Sequence, residues 1–290
     1  MNAPSEMILG KYISCLFVFF LVMLIQINSA FAHEPIFGLG PHVIYKGGVG
    51  VEVEIDGERS SGNLKTEREL AVDTEIIYGI TSDLAVTLVI PGILDKVRIT
   101  ETEDQSSSGF GDLSIRLKYR FWRRDSPGIQ DSAAIILGGK FPTGNENKNP
   151  KLGSGSTDFL FGLAAGRESR RWYYFGDLRY RLNTKDDQFK VGDKIFADAA
   201  IGIRPWLTEY LEPDWVFLVE ANWETQQRNE QFGQAVSDSG GNLLFVSPAF
   251  FMTHRNWAVK GGVQVPVYQN LNGNQPEVDY RFALGVEIHY

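Results

Sequence analysis

The sequence predicts an all-β protein: a transmembrane antiparallel up-and-down β-barrel of about twelve strands that follows a cleaved signal peptide. Three observations carry this. A period of two recurs in segment after segment, the links between segments alternate long and short, and tryptophans gather beside the short links. A soluble exported β-sandwich would share the period, so link lengths and tryptophan placement favour the barrel.

Residues 1–32 read as the signal peptide. Lys11 precedes an apolar stretch running from Cys15 to Ile25, and Ala30-Phe31-Ala32 supplies the cleavage chemistry before His33. The stretch is short for a membrane-spanning helix. Cys15 is the single cysteine, so a chain cleaved before His33 holds no disulfide or thiolate metal site. Residues 33–48 contain Gly38, Gly40, Gly47 and Gly48 but lack the strand and helix that a dinucleotide fingerprint requires. They read as a periplasmic leader or a short plug, with residues 49–290 forming the barrel.

Each strand follows from its alternation. Segment 49–55 sets Val49, Val51, Val53 and Ile55 against Glu52 and Glu54. Segment 69–80 sets Leu70, Val72, Ile76, Tyr78 and Ile80 against Glu69, Asp73 and Glu75. In 112–121, Leu113, Ile115, Leu117, Tyr119 and Phe121 oppose Ser114, Arg116, Lys118 and Arg120. In 172–182, Trp172, Tyr174, Leu178, Tyr180 and Leu182 oppose Asp177, Arg179 and Arg181. Segments 195–204, 215–225 and 257–267 share the pattern, whereas 84–90, 132–141, 157–167 and 243–252 are apolar or small on both faces. Segment 278–290 is the most regular: Tyr280, Phe282, Leu284, Val286, Ile288 and Tyr290 lie on one face, and Asp279, Arg281, Ala283, Gly285, Glu287 and His289 on the other. That segment is similar to the C-terminal signal of outer-membrane barrels, with Phe282 and Tyr290 read by the barrel-assembly machinery.

Links 56–67, 92–109, 142–156, 184–194, 226–241 and 268–277 are long and polar, and 81–83, 122–131, 168–171, 205–214 and 253–256 are shorter. Alternation of this kind suits outer loops and periplasmic turns. Trp122, Trp172, Trp206, Trp215 and Trp257 lie beside the shorter links, at the level of lipid headgroups. The apolar faces would then meet outer-membrane lipid, and the polar faces a lumen. The expected lumen-lining residues are Glu52, Glu54, Glu69, Asp73, Glu75, Arg116, Lys118, Arg120, Asp177, Arg179, Arg181, Asp279, Arg281 and Glu287. A basic row facing an acidic one sets ion preference in an open pore, or pairs to close the barrel as a structural or binding protein.

Several functions are excluded. A formal net charge of −8 without a Lys/Arg cluster argues against nucleic acid. A serine hydrolase needs a histidine base; the histidines are His33, His42, His254 and His289, and neither His254 nor His289 is followed by the serine motif of outer-membrane phospholipases. An N-terminal His33 with His42 nine residues on is a conceivable copper chelate, yet no metal site or cofactor is assigned. The neighbouring carboxylates of 52–54 and 69–75 read as lumen lining rather than as an acid–base pair, and the reading is not an enzyme.

Three short motifs recur in order: Gly109-Phe110-Gly111-Asp112-Leu113, Gly139-Lys140-Phe141-Pro142-Thr143-Gly144-Asn145, and Gly153-Ser154-Gly155-Ser156-Thr157-Asp158. With the terminal segment, they resemble the "MetA-pathway of phenol degradation" family of bacterial outer-membrane transporters, over roughly residues 105–290. The resemblance implies a channel for small solutes, aromatic or other small organic compounds, in the outer membrane. It supplies no binding residues. Read by turn chemistry, Pro142-Thr143-Gly144-Asn145 opens a loop in any β protein.

Overall fold

The computed structural model describes residues 34–209 and 212–290. The expected signal peptide and His33 lie outside the described residues. The first strands are β1 (Val49–Ser61), β2 (Lys65–Gly79), β3 (Leu84–Thr100), β4 (Asp104–Phe110), β5 (Ser114–Ser126) and β6 (Ile129–Lys140). There follow β7 (Asp158–Ser169), β8 (Trp172–Leu182), β9 (Lys185–Asp186), β10 (Phe189–Lys190), β11 (Lys194–Ile203) and β12 (Asp214–Gln226). The last are β13 (Glu230–Gln231), β14 (Gln234–Ala235), β15 (Gly241–His254), β16 (Trp257–Leu271) and β17 (Glu277–His289).

Twelve of these close into one antiparallel barrel, in the order β1-β2-β3-β5-β6-β7-β8-β11-β12-β15-β16-β17 and back to β1. The closing register sets Gly50 opposite His289, Ile55 opposite Leu284 and Glu58 opposite Arg281. Each of the twelve segments expected from alternation is one of these strands. The remaining strands belong to the loops. β4 pairs with the far end of β3, and β9, β10, β13 and β14 form a small four-stranded sheet from two loops.

The wall follows the alternation. Val49, Val51, Val53 and Ile55 share one face of β1, and Leu163 and Leu284 remain 54% and 49% exposed. Aliphatic side chains left open to this degree around a whole wall suit hydrocarbon as the neighbouring medium. Among the described residues no helix is long and apolar enough to cross a membrane.

The links differ from expectation. Residues 56–67, 92–109 and 268–277 are not open loops: β1 runs to Ser61 and β2 starts at Lys65, β3 runs to Thr100, and β16 reaches Leu271. Link 122–131 likewise shrinks to Pro127 and Gly128 between β5 and β6. Beyond the bilayer both faces of a strand are wet, so apolar alternation stops while backbone pairing continues. In the Pro127-Gly128 turn, proline presets its own φ and Gly128 takes a φ of 74°, as a type II turn demands.

Residues 34–48 enter the barrel from the short-turn end. Their last residues are tied to the wall by backbone: Gly47 N–H donates to Gly79 O at 2.7 Å and Gly79 N–H to Gly48 O at 3.0 Å. Gly79 must be glycine here, because a Cβ would stand 2.0 Å from Tyr45 O and 2.8 Å from Tyr45 C. We expect Gly79→Ala to lower stability by about 1–3 kcal/mol through this overlap. The check is the temperature at which the folded band converts to the unfolded one on an unboiled gel, and an unchanged temperature would contradict the packing.

Candidate functional site

The site is the lumen at the short-turn end, where residues 34–45 pass across it. Four consecutive backbone N–H groups meet carboxylates of the wall. Ile36 N–H donates to Glu220 Oε1 at 2.6 Å, while Phe37 and Gly38 donate to Oε2 at 3.1 and 3.3 Å. Leu39 N–H donates to Asp177 Oδ2 at 2.9 Å. Glu220 is 1% exposed, so the segment supplies the hydrogen-bond donors that a carboxylate buried on β12 needs. Asn222 and Ser247 extend this polar row, with Ser247 Oγ donating to Asn222 Oδ1 at 2.7 Å.

Side chains of the segment add further contacts. Ile36 packs with Tyr173, Phe175, Val216, Leu218 and Phe251, with Phe37 against the same cluster. Lys118 Nζ donates to both Glu34 oxygens, at 2.8 and 3.1 Å. Burial alone would raise the Glu34 carboxyl, but Lys118 and His42 beside it hold it down at about 2. His42 Nε2 meets Glu168, and its ring stands edge-on to Phe175 at 6.0 Å. Burial pushes the His42 imidazole down to about 4, against the pull of Glu34. At neutral pH the segment therefore presents an anionic Glu34 and an uncharged His42.

Around this segment lies a cavity of about 820 Å³ whose lining includes Glu52, Glu54, Glu75, Arg116, Lys118, Arg120, Arg179 and Glu287. Lys260 Nζ reaches Glu52 at 2.5 Å and Glu54 at 3.5 Å. Arg116 pairs with Glu75 across β3, and Arg120 is bound at the turn by Asp83 (2.8 Å) and Ser82 O (2.7 Å). Arg179 Nε forms an ion pair with Asp177 Oδ1 at 2.6 Å, and Arg179 also meets Asp198. The Arg179 and Arg181 guanidiniums sit 5.0 and 5.4 Å from the Phe196 ring. Glu287 pairs with His289.

A second cavity of about 450 Å³ lies toward the long loops and includes Glu58, Lys65, Lys194, Glu224 and Arg281 in its lining. Arg281 bonds Glu58 on β1 and Glu224 on β12, each at 2.6 Å. Glu69 pairs with Lys96 at 2.7 Å, and Asp73 stands opposite Glu54 in the β1–β2 register. Asp279 is elsewhere. At the register shift between Arg59 and Ser60, its carboxylate meets Arg59 (3.2 Å) and Ser61 (2.7 Å), on the same β1 face as Val53 and Ile55. The shift adds one residue to β17 there, which turns Asp279 outward at the rim. Phe282 covers Gly57, where a Cβ would lie 2.4 Å from the ring, and Tyr290 N–H donates to Val49 O at 2.7 Å.

Basic and acidic residues thus do not form two opposed walls. Lys260 stands within the acidic arc, and Glu34, on the segment that crosses the lumen, answers Lys118. Sequence reasoning missed Glu34, Asp198, Glu220, Asn222 and Lys260. The available signal for Glu220 was a carboxylate that directly follows the apolar run Trp215–Val219 in mid-strand.

The three glycine-rich motifs meet in space at the loop end. Asp112 accepts from Gly144 N–H at 2.9 Å, Ser154 N–H at 2.7 Å and Ser154 Oγ at 2.9 Å. Lys140 donates to Ser154 Oγ at 2.7 Å and pairs with Asp158, which also accepts Thr184 N–H at 3.0 Å. Leu113 N–H donates to Thr143 Oγ1 at 2.8 Å. They form a latch that fastens loop 141–157 onto β5, β6 and β7.

A closed twelve-stranded barrel with an apolar wall and a charged lumen has the fold of an outer-membrane channel. The family described as "Putative MetA-pathway of phenol degradation" matches residues 40–276, and the chain belongs to it. An outer-membrane channel from Pseudomonas putida F1 is similar in structure, with a TM-score of 0.69 and 12% identity, covering 89% of this chain and all of that one (100%). The beta domain of the Bordetella autotransporter BrkA is similar at a TM-score of 0.50 and 8% identity, covering 83% and 98% of the two chains. No curated protein matches the sequence.

Removing the hub of the latch tests the loop assignment. Asp112→Ala strands three donors, at a cost of about 1–3 kcal/mol. We expect loop 141–157 to become the first site of limited proteolysis while the barrel stays folded. Cleavage no faster than in the parent would contradict the latch.

Proposed function

We propose that this chain is exported to the outer membrane through a cleaved signal peptide. There it acts as a channel for small organic solutes, narrowed by its own residues 34–45. The observation that carries this reading is the grip of Glu220 on three successive backbone N–H groups. Hydrogen bonds to one carboxylate hold the segment firmly yet reversibly, so it can leave the lumen without unpairing the wall. Lipid surrounds the barrel, and assembly of the wall falls to the barrel-assembly machinery.

The solute class rests on the family description and on the lumen surface. Tyr173, Phe175 and Phe251 are packed under Ile36 and Phe37, and departure of residues 34–45 would bare their aromatic faces on the same inner wall as Glu220 and Asn222. A phenol-like compound needs an apolar slot for the ring and a polar group for its hydroxyl. The second reading, a barrel closed by its own charges, is favoured by Arg281 bridging β1 and β12.

Conductance across a planar bilayer separates the two. We expect small, brief steps from the full chain, and an open fraction raised about tenfold by Glu220→Ala, equivalent to about 1.4 kcal/mol of lost hold. Deletion of residues 34–45 should give larger and persistent steps. Silence from all three proteins supports the closed barrel, and identical steps from all three show that the segment is no barrier.

Charge selectivity gives an independent test. Lys260 is shared by Glu52 and Glu54, so Lys260→Gln leaves both acids without their ammonium. We expect the reversal potential in a salt gradient to move toward cation preference. An unchanged potential in an open channel would place these residues off the ion path.

A further inference from the structure

Residues 122–131 and 165–174 hold five arginines: Arg123, Arg124, Arg167, Arg170 and Arg171. The acids there are Asp125, Asp131 and Glu168, and Glu168 turns inward to His42. One register row crosses four strands at this level, from Arg124 on β5 to Asp131 on β6, Arg167 on β7 and Tyr174 on β8. All four share the outer face with Leu163 and Phe161, which lie further along β7 on the same alternation.

The row is a chelate with cation to spare. Arg124 Nη2 and Nε reach Asp131 Oδ2 at 2.6 and 3.2 Å, and Arg167 Nε and Nη2 reach Oδ1 and Oδ2 at 2.5 and 3.1 Å. Two guanidiniums share one carboxylate, and each Nη1 stays outside these bonds. The Asp131 side chain is 7% exposed, whereas those of Arg124 and Arg167 are 60% and 51% exposed. The carboxylate therefore orients the guanidiniums and leaves them facing the surroundings.

Depth along the wall suggests what they face. Trp122, two residues from Arg124 on β5, lies about 7 Å nearer the bilayer centre. Its ring sits 5.9 Å from the Arg124 guanidinium carbon. Exposed tryptophan marks the headgroup level of a membrane, so the arginine row lies at the depth of lipid phosphates.

We propose that Arg124, Arg167 and Tyr174 form a binding site for the phosphate of an anionic phospholipid on the outer wall. Guanidinium forks suit phosphate oxygens, and Asp131 supplies the preorganisation. A lipid is the occupant rather than free phosphate, because the site continues into apolar wall at Leu163 and Phe161, where acyl chains lie. The inference rests on the reading of that wall as lipid-facing.

Native mass spectrometry of the full chain from neutral detergent micelles tests it, with phosphatidylglycerol and phosphatidylcholine of identical acyl chains as probes. We expect preferential retention of phosphatidylglycerol, reduced about fivefold in Arg124→Gln and about thirtyfold in Arg124→Gln/Arg167→Gln, from the usual gain per arginine near an anionic surface. Gel mobility before and after heating reports folding, and the single variant keeps the Arg167–Asp131 bonds if the double variant fails to fold. Millimolar inorganic phosphate should leave the bound lipid in place. Equal retention of the two lipids by the folded parent overturns the site, as does displacement by phosphate or unchanged preference in the folded variants. Retention of neither lipid by the folded parent would instead remove the lipid-facing wall on which the site depends.

Discussion

The constraint on which the structure depends is the closure of β1 onto β17. Hydrocarbon offers no partner to a backbone N–H or C=O, so a wall of strands in a bilayer must have no edge. The register from Gly50–His289 to Ser61–Glu277 meets that demand, and with β1 paired to β2 on its other side the circle is complete. Closure also fixes the two faces. Once the register holds, a shift by one residue would drive Glu52, Glu54 and Glu287 into lipid and bring valines into the lumen.

Closing on twelve strands leaves an interior of intermediate size. Smaller barrels fill with their own side chains and much larger ones hold a water channel. Here the two solutions occur together. One arc, built from Tyr173, Val216, Leu218 and Phe251, is dry and packed against Ile36. The opposite arc, on β1 and β2, stays charged. The peptide segment that crosses the lumen joins them by giving its apolar side chains to the first arc, and Glu34 to Lys118.

The twelve crossings were legible because lipid and water impose opposite demands on alternate residues. The polar face of β1 was legible for the same reason, since Val53 and Ile55 leave no doubt about the apolar one. In the first half of β12 that contrast fails: Val216 and Leu218 point inward as apolar as their outward neighbours, so the start of the strand gave no hint that Glu220 lies inside. Its partners are backbone groups 182–184 residues away, and no local pattern encodes them. Asp279 was misplaced by one inserted residue, because a bulge leaves the amino-acid pattern intact while reversing the face. The glycine-rich motifs were visible, but their shared purpose required Asp112, Lys140 and Ser154 to meet in three dimensions.

Arg281 has a consequence for the mechanics of the barrel. Its two carboxylate partners sit on β1 and on β12, with β16 and β15 lying between β17 and β12. The side chain is thus a tie-rod strung as a chord inside the cylinder. A cylinder braced in this way resists becoming rounder, since any widening along that chord stretches a charge-assisted bond. The width of the barrel along that chord is then set by one guanidinium as well as by strand number, and it can change without any hydrogen bond of the wall being broken.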